Sequence, residues 1–274
     1  MAVKSPLKWA GSKVRVMHEL SKHLPPGKRL VEPFAGSCAV MMNTDYDSYL
    51  IGDVNPDLIH LYQYIKMDVE QFIRDARRYF EVCISAEDYY RVRFDFNTST
   101  DWQSRAAMFL YLNRHCFNGL ARYNQRGGFN VPYGKYKSPY FPEIEIRSFA
   151  EKAKRATFIC ADFTESLDLV VPGDVVYCDP PYNPEGSAKS FTKYHSVDFD
   201  ITNQKQLAAM LANLVERGIP VVASNSDSEL TYAQYGAGLF ELHKINVARS
   251  VGAATGGSSS APEIIAVSYP VCQP

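Results

Sequence analysis

The sequence predicts an α/β protein: a sheet flanked by helices, interrupted by an inserted, mainly helical segment that carries a β-hairpin. Three observations predict it. Apolar runs of strand length recur along the chain, and several end in an acid, as in Tyr49–Asp53 and Asp174–Asp179. Another run turns at Gly36 straight into a helical pattern, the strand–turn–helix unit of a ligand-binding sheet. Between residues 69 and 115, three successive stretches have helical periodicity.

Composition narrows the class. At 274 residues the chain has room for one or two domains with a substantial core. Net charge is −1, so any nucleic-acid site must be local rather than a property of the whole surface. The six cysteines are scattered, with no C-x-x-C pair and no His at ligand spacing, so neither a disulfide framework nor a metal is expected. Met1–Pro6 lacks a signal-peptide core, and no run of about 18 apolar residues is present to span a membrane. The expectation is a cytoplasmic protein of a bacterium, or of a phage or virus acting in its host. No membrane and no obligate protein partner is expected, and the chain reads as a monomer.

Each element follows in order. Leu7-Lys8-Trp9-Ala10-Gly11-Ser12-Lys13 precedes a helical pattern from Val14 to His23, either a phosphate or carboxylate cradle or a solvated first helix. Arg29–Gly36 is a strand and tight turn, with a helix from about Cys38 to Asn43. It has one glycine and no G-x-G-x-x-G, which argues against a nicotinamide oxidoreductase. Tyr49–Asp53 ends about 17 residues beyond Gly36 in an acid, placed either to bind ribose hydroxyls or simply to make a turn. Asn55-Pro56 opens a helix by cap and first-turn proline. Val69–Phe80, Ser85–Asn97 and Asp101–His115 read as helices, with Ser85 and Asp101 as caps.

From Trp102 to Pro142 there is no acidic residue. Arg105, Arg114, Arg122, Arg126, Lys135 and Lys137 alternate with nine Phe and Tyr residues, and Asn118-Gly119, Gly127-Gly128 and Pro132 break the stretch into turns. Such loops suit phosphate contacts and base readout, although some of the aromatics must form the core of a helical unit. Thr157–Phe163 is a strand ending in Asp162-Phe163, an acid and ring able to bracket the adenine of a nucleotide-like cofactor. Asn183–Asp200 is polar and reads as a closing lid, with Thr202-Asn203 capping a helix from Gln204 to Glu216. Ile219–Asn225 is a buried strand, and Leu239–Ala248 and Glu263–Tyr269 form a closing antiparallel pair around a Gly/Ser/Ala-rich Ser250–Ser260.

The chemistry concentrates at Asp179-Pro180-Pro181-Tyr182, just beyond the buried run Asp174–Cys178. Open α/β sheets place their chemistry at the carboxyl ends of strands. The plainest alternative is that Asp179 caps a turn and the prolines end a strand. Asp179 with the Pro180 carbonyl otherwise offers acceptors to a planar, amino-bearing ring stacked on Tyr182. Such acceptors free the lone pair of an exocyclic amine such as adenine N6, and stabilise the positive charge that grows on alkylation.

The tetrapeptide resembles that of amino-methyltransferases on DNA, RNA or protein. Together with Lys-Trp-Ala-Gly and Glu-Pro-Phe-Ala-Gly, in this order and with an intervening recognition segment, the chain resembles a Dam-type DNA adenine methyltransferase from Leu7 to about Tyr269. The resemblance implies a Rossmann-like, S-adenosylmethionine-dependent sheet from residues 1–55 and 145–274, and a DNA target-recognition insertion at 56–144. It implies S-adenosylmethionine as cofactor, S-adenosylhomocysteine as product, no metal, and double-stranded DNA as partner. Trp9, Lys13, Asp53 and Asp179 would bind the cofactor, with Phe34, Gly36, Asp162 and Phe163 added to that pocket. Asp179, Pro180 and Tyr182 would be catalytic, on an adenine flipped from the duplex.

The family reads GATC. By its pattern Lys8 contacts the first guanine, Phe117 wedges into the stack, Leu120 and Pro132 meet the thymine methyl, and Arg122 contacts the outer guanine. Asn118, Arg126 and Lys135 would position the backbone. The chain departs from that pattern twice: Phe117 stands where relatives often have Tyr, and Ser250–Pro262 lacks their basic residues before Glu263-Ile264-Ile265. The alternatives are an RNA or protein amino-methyltransferase, or a catalytically silent DNA-binding relic.

Overall fold

β1 (Arg29–Glu32), β2 (Ser48–Asp53), β3 (Ala156–Cys160), β4 (Asp174–Cys178) and β5 (Val221–Ser226) run parallel in a computed structural model of the chain, which describes residues 2–182, 199–236, 238–248 and 260–268. β6 (Glu241–Ala248) and β7 (Ser260–Ser268) complete the sheet, and β7 runs antiparallel between β5 and β6. The order is β3-β2-β1-β4-β5-β7-β6, so successive connections reverse direction between β1 and β4. Every residue of β4 is buried, as an unbroken apolar run covered on both faces requires. This is a Rossmann-like α/β fold, and the reversal opens a crevice beyond the carboxyl ends of β1 and β4.

The first helical pattern is shorter than the sequence predicts. A single 3₁₀ turn at Lys13–Arg15 gives way to α1 (Met17–Leu20), because Val16 leaves helical dihedrals (φ −103°, ψ 1°) where Lys13 is drawn into the interior. α2 (Ala39–Asn43) follows the Gly36 turn, and α3 (Pro56–Met67) is capped by Asn55, whose side chain accepts from the N–H groups of Asp57 and Leu58. α4 (Val69–Val82), α5 (Ala86–Thr98) and α6 (Trp102–His115) follow, with Asp68, Ser85 and Asp101 capping in turn.

The hairpin beyond α6 is reduced to two isolated antiparallel bridges, Cys116–Tyr133 and Tyr123–Phe129. Gly127, Gly128 and Pro132 interrupt any longer ladder, while Tyr123 and Phe129 are committed to the core. Phe129 packs edge-on against Phe96 (5.9 Å) and Phe109 (6.5 Å), and all three are buried. That apolar cluster is continuous with Leu30, Ile51 and Tyr177, so these helices share a core with one face of the sheet, while Val31, Leu50 and Val176 on the other face pack in a second cluster with Leu167 and Leu211.

Three further helices are α7 (Glu143–Ala153), α8 (Phe163–Asp168) and α10 (Glu229–Tyr235). α9 (Ile201–Glu216) is capped by Asp200 instead of Thr202-Asn203. The Asp200 carboxylate accepts from both of those backbone N–H groups, and Asn203 returns a bond to the Asp200 N–H at 3.1 Å.

Candidate active site

Asp179 sits one residue beyond β4, its side chain about one-fifth exposed. Pro180 and Pro181 fix the backbone there, and Gln204 from α9 donates to the Pro181 carbonyl at 2.8 Å. The Lys13 ammonium reaches the same tip from its 3₁₀ turn and lies 3.0 Å from Asp179 Oδ1. It also donates to the Tyr182 hydroxyl at 2.8 Å and stands 4.8 Å from the centre of that ring. The fourth member is Glu263, which the sequence does not single out. Its Oε2 lies 3.3 Å from Lys13 and accepts from the Tyr182 hydroxyl at 3.1 Å.

Topology explains Glu263. Because β7 runs antiparallel, its early residues stand level with the carboxyl end of β5, and Glu263 pairs with Ser226. Two carboxylates and one ammonium therefore share one largely buried cluster. Burial pushes the Asp179 carboxyl upward and Glu263 adds to that, outweighing Lys13. Burial opposes charge on Lys13, but the two carboxylates win and raise it.

The second group lies around β1 and β2. Gly36 has φ +45°, and a Cβ there would meet the Trp9 indole nitrogen at 3.0 Å, so the turn needs glycine with Trp9 laid over it. Asp53 closes that turn: one carboxylate oxygen accepts from the Gly36 N–H (3.1 Å), the other from the Asn55 N–H (2.9 Å). Phe34 stacks on buried Phe163 at 5.7 Å, and Phe199 meets both rings edge-on. Asp162 is adjacent, but its carboxylate caps α8 by accepting from the Thr164 N–H and hydroxyl. Trp9, Gly36 and Asp53 are thus joined at one turn, and Phe34, Asp162 and Phe163 stand near it at the carboxyl ends of β1 and β3.

Glu32, at the tip of β1, is a second residue that sequence reasoning does not single out, although an acid ending a strand just before Pro33 is a readable signal. It is buried and its Oε1 has no hydrogen-bond partner among the described residues. Burial, reinforced by the charge of Asp179, pushes its carboxyl up to about 8 despite a bond from the Met41 backbone. An orphaned acid among other acids suits a cationic ligand. S-adenosylmethionine, with its sulfonium and ammonium charges, fits that donor set. Among the described residues no cluster of three or more His, Cys, Asp or Glu is arranged to hold a metal.

A model of the family described as D12 class N6 adenine-specific DNA methyltransferase matches residues 9–251. The chain belongs to that family. Relatives agree: a retron Ec67 DNA adenine methylase of Escherichia coli is 54% identical, covering 97% of this chain and 92% of that protein. DNA adenine methylases of Serratia marcescens (46% identical, 95% of this chain and 97% of that protein) and Escherichia coli K12 (45%, 96% and 95%) are similar over nearly their whole lengths. Among solved structures, an rRNA methyltransferase from Streptomyces viridochromogenes aligns at TM-score 0.37 and 11% identity over 93% of this chain and 83% of that one, too distant to carry weight.

The methyltransferase places its other predicted residues along the segment after α6. Lys8 is tied to α6 by a reciprocal pair: its N–H donates to Asn113 Oδ1 and its carbonyl accepts from Asn113 Nδ2, both at 2.8 Å. Its ammonium stands 4.2 Å over the Tyr136 ring, and its stem packs on Gly119, where a Cβ would come within 2.4 Å. Phe117 is half exposed, Asn118 has φ +56°, and the Tyr136 hydroxyl accepts from the Asn118 N–H. Arg122 is held by Asn130, whose side-chain oxygen accepts from Nε at 2.8 Å. Pro132, Arg126 and Lys135 are exposed, whereas Leu120 packs partly against the core.

Two arginines of the basic stretch point inward instead. Arg105 is paired with buried Asp57 at 2.7 Å, and Arg114 is buried with its guanidinium donating to the Pro6 carbonyl. Neither is placed to meet a phosphate. Of the lid, only Phe199 and Asp200 are described; Asn183 to Asp198, with Lys189, Lys193 and His195, lie outside the described residues, as does most of Ser250–Pro262. No helix among the described residues is long and apolar enough to cross a membrane.

Proposed function

We propose that this chain transfers the methyl group of S-adenosylmethionine to N6 of an adenine flipped out of double-stranded DNA, within GATC. The observation that carries the reading is the Lys13 ammonium on Asp179: the strand tip already binds an N–H donor where a target amine would sit, beside the Tyr182 ring. Asp179 and the Pro180 carbonyl accept from the amine, and Tyr182 stacks on the base. The acceptors stabilise the positive charge that grows on N6, and their fixed placement aligns amine and methyl. S-adenosylmethionine, when bound, supplies an electrophilic methyl on sulfur. Trp9, Asp53, Phe34, Phe163 and Glu32 line its side of the crevice.

For readout, Lys8 and Arg122 are the guanine contacts, Phe117 the wedge, and Leu120 and Pro132 the contacts to the thymine methyl. Asn118, Arg126 and Lys135 hold the backbone, in an insertion of 56–144 set into a catalytic unit of 1–55 and 145–274. The names of the relatives support DNA adenine as the target. The geometry of Asp179 and Tyr182 alone suits amines on RNA or protein equally well. Labelled methyl transfer to GATC duplex, near-cognate duplexes, single-stranded RNA and protein separates these. Label is expected in the GATC duplex, with Asp179→Ala inactive yet still binding DNA. Label in RNA but not in duplex, or an active Asp179→Ala protein, overturns the assignment.

A further inference from the structure

Lys13 and an incoming adenine compete for the same carboxylate. The ammonium lies 3.0 Å from Asp179 Oδ1, so an amine cannot bind that oxygen until Lys13 gives it up. Lys13 is also among the most buried charged residues of the chain, its side chain 6% exposed, and a buried ammonium cannot be left without an anion. Withdrawal into water would require the 3₁₀ turn around Lys13 to open. A nearer destination exists. Glu263 Oε2 is already within 3.3 Å, its own side chain 10% exposed.

The two ends of that pair differ in freedom. Glu263 is anchored in β7, paired with Ser226 on one side and Ile245 on the other, so its carboxylate is fixed relative to the sheet. Lys13 has a four-carbon stem with several rotatable bonds. The Tyr182 hydroxyl donates to the same Glu263 oxygen at 3.1 Å, which sets the ring at a defined angle to the tip.

We propose that Glu263 is a positioning residue that receives the Lys13 ammonium when the target amine takes its place on Asp179, while holding the Tyr182 ring for the base. The inference rests on the function proposed above. It gives the site two carboxylates for two cationic or amine groups in succession: before the base enters, Lys13 bridges both acids; afterwards, Lys13 stays on Glu263 and the amine donates to Asp179.

The test is Glu263→Gln, which keeps the shape and an acceptor oxygen but removes the charge. Wild-type methylation of a GATC duplex is measured first, so that failure of the functional reading shows there and not in the variants. With the charge removed, Lys13 is confined to Asp179. The single-turnover rate is expected to fall at least tenfold. The acid limb of its pH profile moves to lower pH, because the negative charge that raises Asp179 is gone. The preference in binding for a duplex with adenine at the target position over one with purine there, which lacks only the amine, is expected to fall in Glu263→Gln and to recover in Lys13→Met/Glu263→Gln, where no ammonium needs a destination.

A wild-type rate and acid limb in Glu263→Gln overturn the proposal. So does a slow variant whose adenine-over-purine preference Lys13→Met fails to restore, since the loss is then structural. If Glu263→Gln does not fold, Lys13→Met alone tests the competition: an adenine-over-purine preference above wild type supports it, and one at or below wild type overturns it.

Discussion

Glu32 offers the sharpest physical test of the strand-tip environment, independent of catalysis. The residue is 2% exposed, one carboxyl oxygen lacks a partner among the described residues, and burial with the nearby Asp179 charge raises the carboxyl from 4.5 to about 8. Below pH 4.5 the group is protonated in folded and unfolded chains alike. Between there and about 8 only the unfolded chain has released its proton, so stability falls as pH rises, and above about 8 the loss is complete. At about 1.4 kcal/mol for each tenfold change, the whole rise corresponds to about 5 kcal/mol. Glu32→Gln, neutral throughout, should escape the loss. Urea unfolding followed from about pH 5 to about pH 9 should show the variant gaining on wild type steadily, by up to about 5 kcal/mol at the alkaline end. Saturation with S-adenosylmethionine should narrow the gap, because a nearby cation favours the ionised carboxylate. Two parallel stability curves, separated by a constant amount, would refute the reasoning.

Arg122→Ala should relax discrimination at one outer base pair at a cost of about 1–3 kcal/mol, read from methylation rates on near-cognate duplexes. Asn130→Ala should reproduce part of that effect, since Asn130 holds the Arg122 guanidinium. Lys135→Ala should weaken every duplex alike and flatten the salt dependence of binding by about one charge, measured by titration at several salt concentrations. Arg105→Ala should cost about 3–5 kcal/mol of folding stability in denaturant unfolding, because it leaves buried Asp57 with the Tyr123 hydroxyl but without its cation.

The sheet and its central strand are legible in the sequence because their signal is local. An apolar run the length of β4 followed by an acid and two prolines has few other readings, and the Gly36 turn with Asp53 beyond it announces a crevice. What cannot be read depends on partners distant in sequence. Glu263 is 250 residues from Lys13 and reaches it only because β7 inserts antiparallel between β5 and β6. Arg105 and Arg114 look like phosphate contacts because a count of charges in a stretch cannot see Asp57 or the Pro6 carbonyl. Asp162 is ambiguous for another reason: an acid at a strand end and an acid capping the next helix occupy the same sequence position, and here the cap bonds are made. The hairpin signal does mark a chain reversal, but the side chains of Tyr123 and Phe129 go to the helical core and leave only isolated bridges.

Charge segregation follows from this arrangement and bears on how a base reaches the site. Asp53, Asp179 and Glu263 gather three carboxyl groups at one edge of the sheet, with Lys13 bonded to two of them. Such an edge attracts a cationic methyl donor and an amine gaining positive charge, and it repels phosphate. The acid-free stretch 102–142 has the opposite character, with Arg122, Arg126 and Lys135 in no ion pair among the described residues, unlike Arg105. A duplex is then, under the proposed function, drawn to the 102–142 stretch and kept off the strand tips. Under the proposed function, only a neutral part of the DNA can cross from one region to the other, and an extruded adenine is such a part. The same separation explains why the chain needs no net positive charge to act on a polyanion: the basic residues need only outweigh the acidic edge over the footprint of the backbone, within a screening length of about 10 Å.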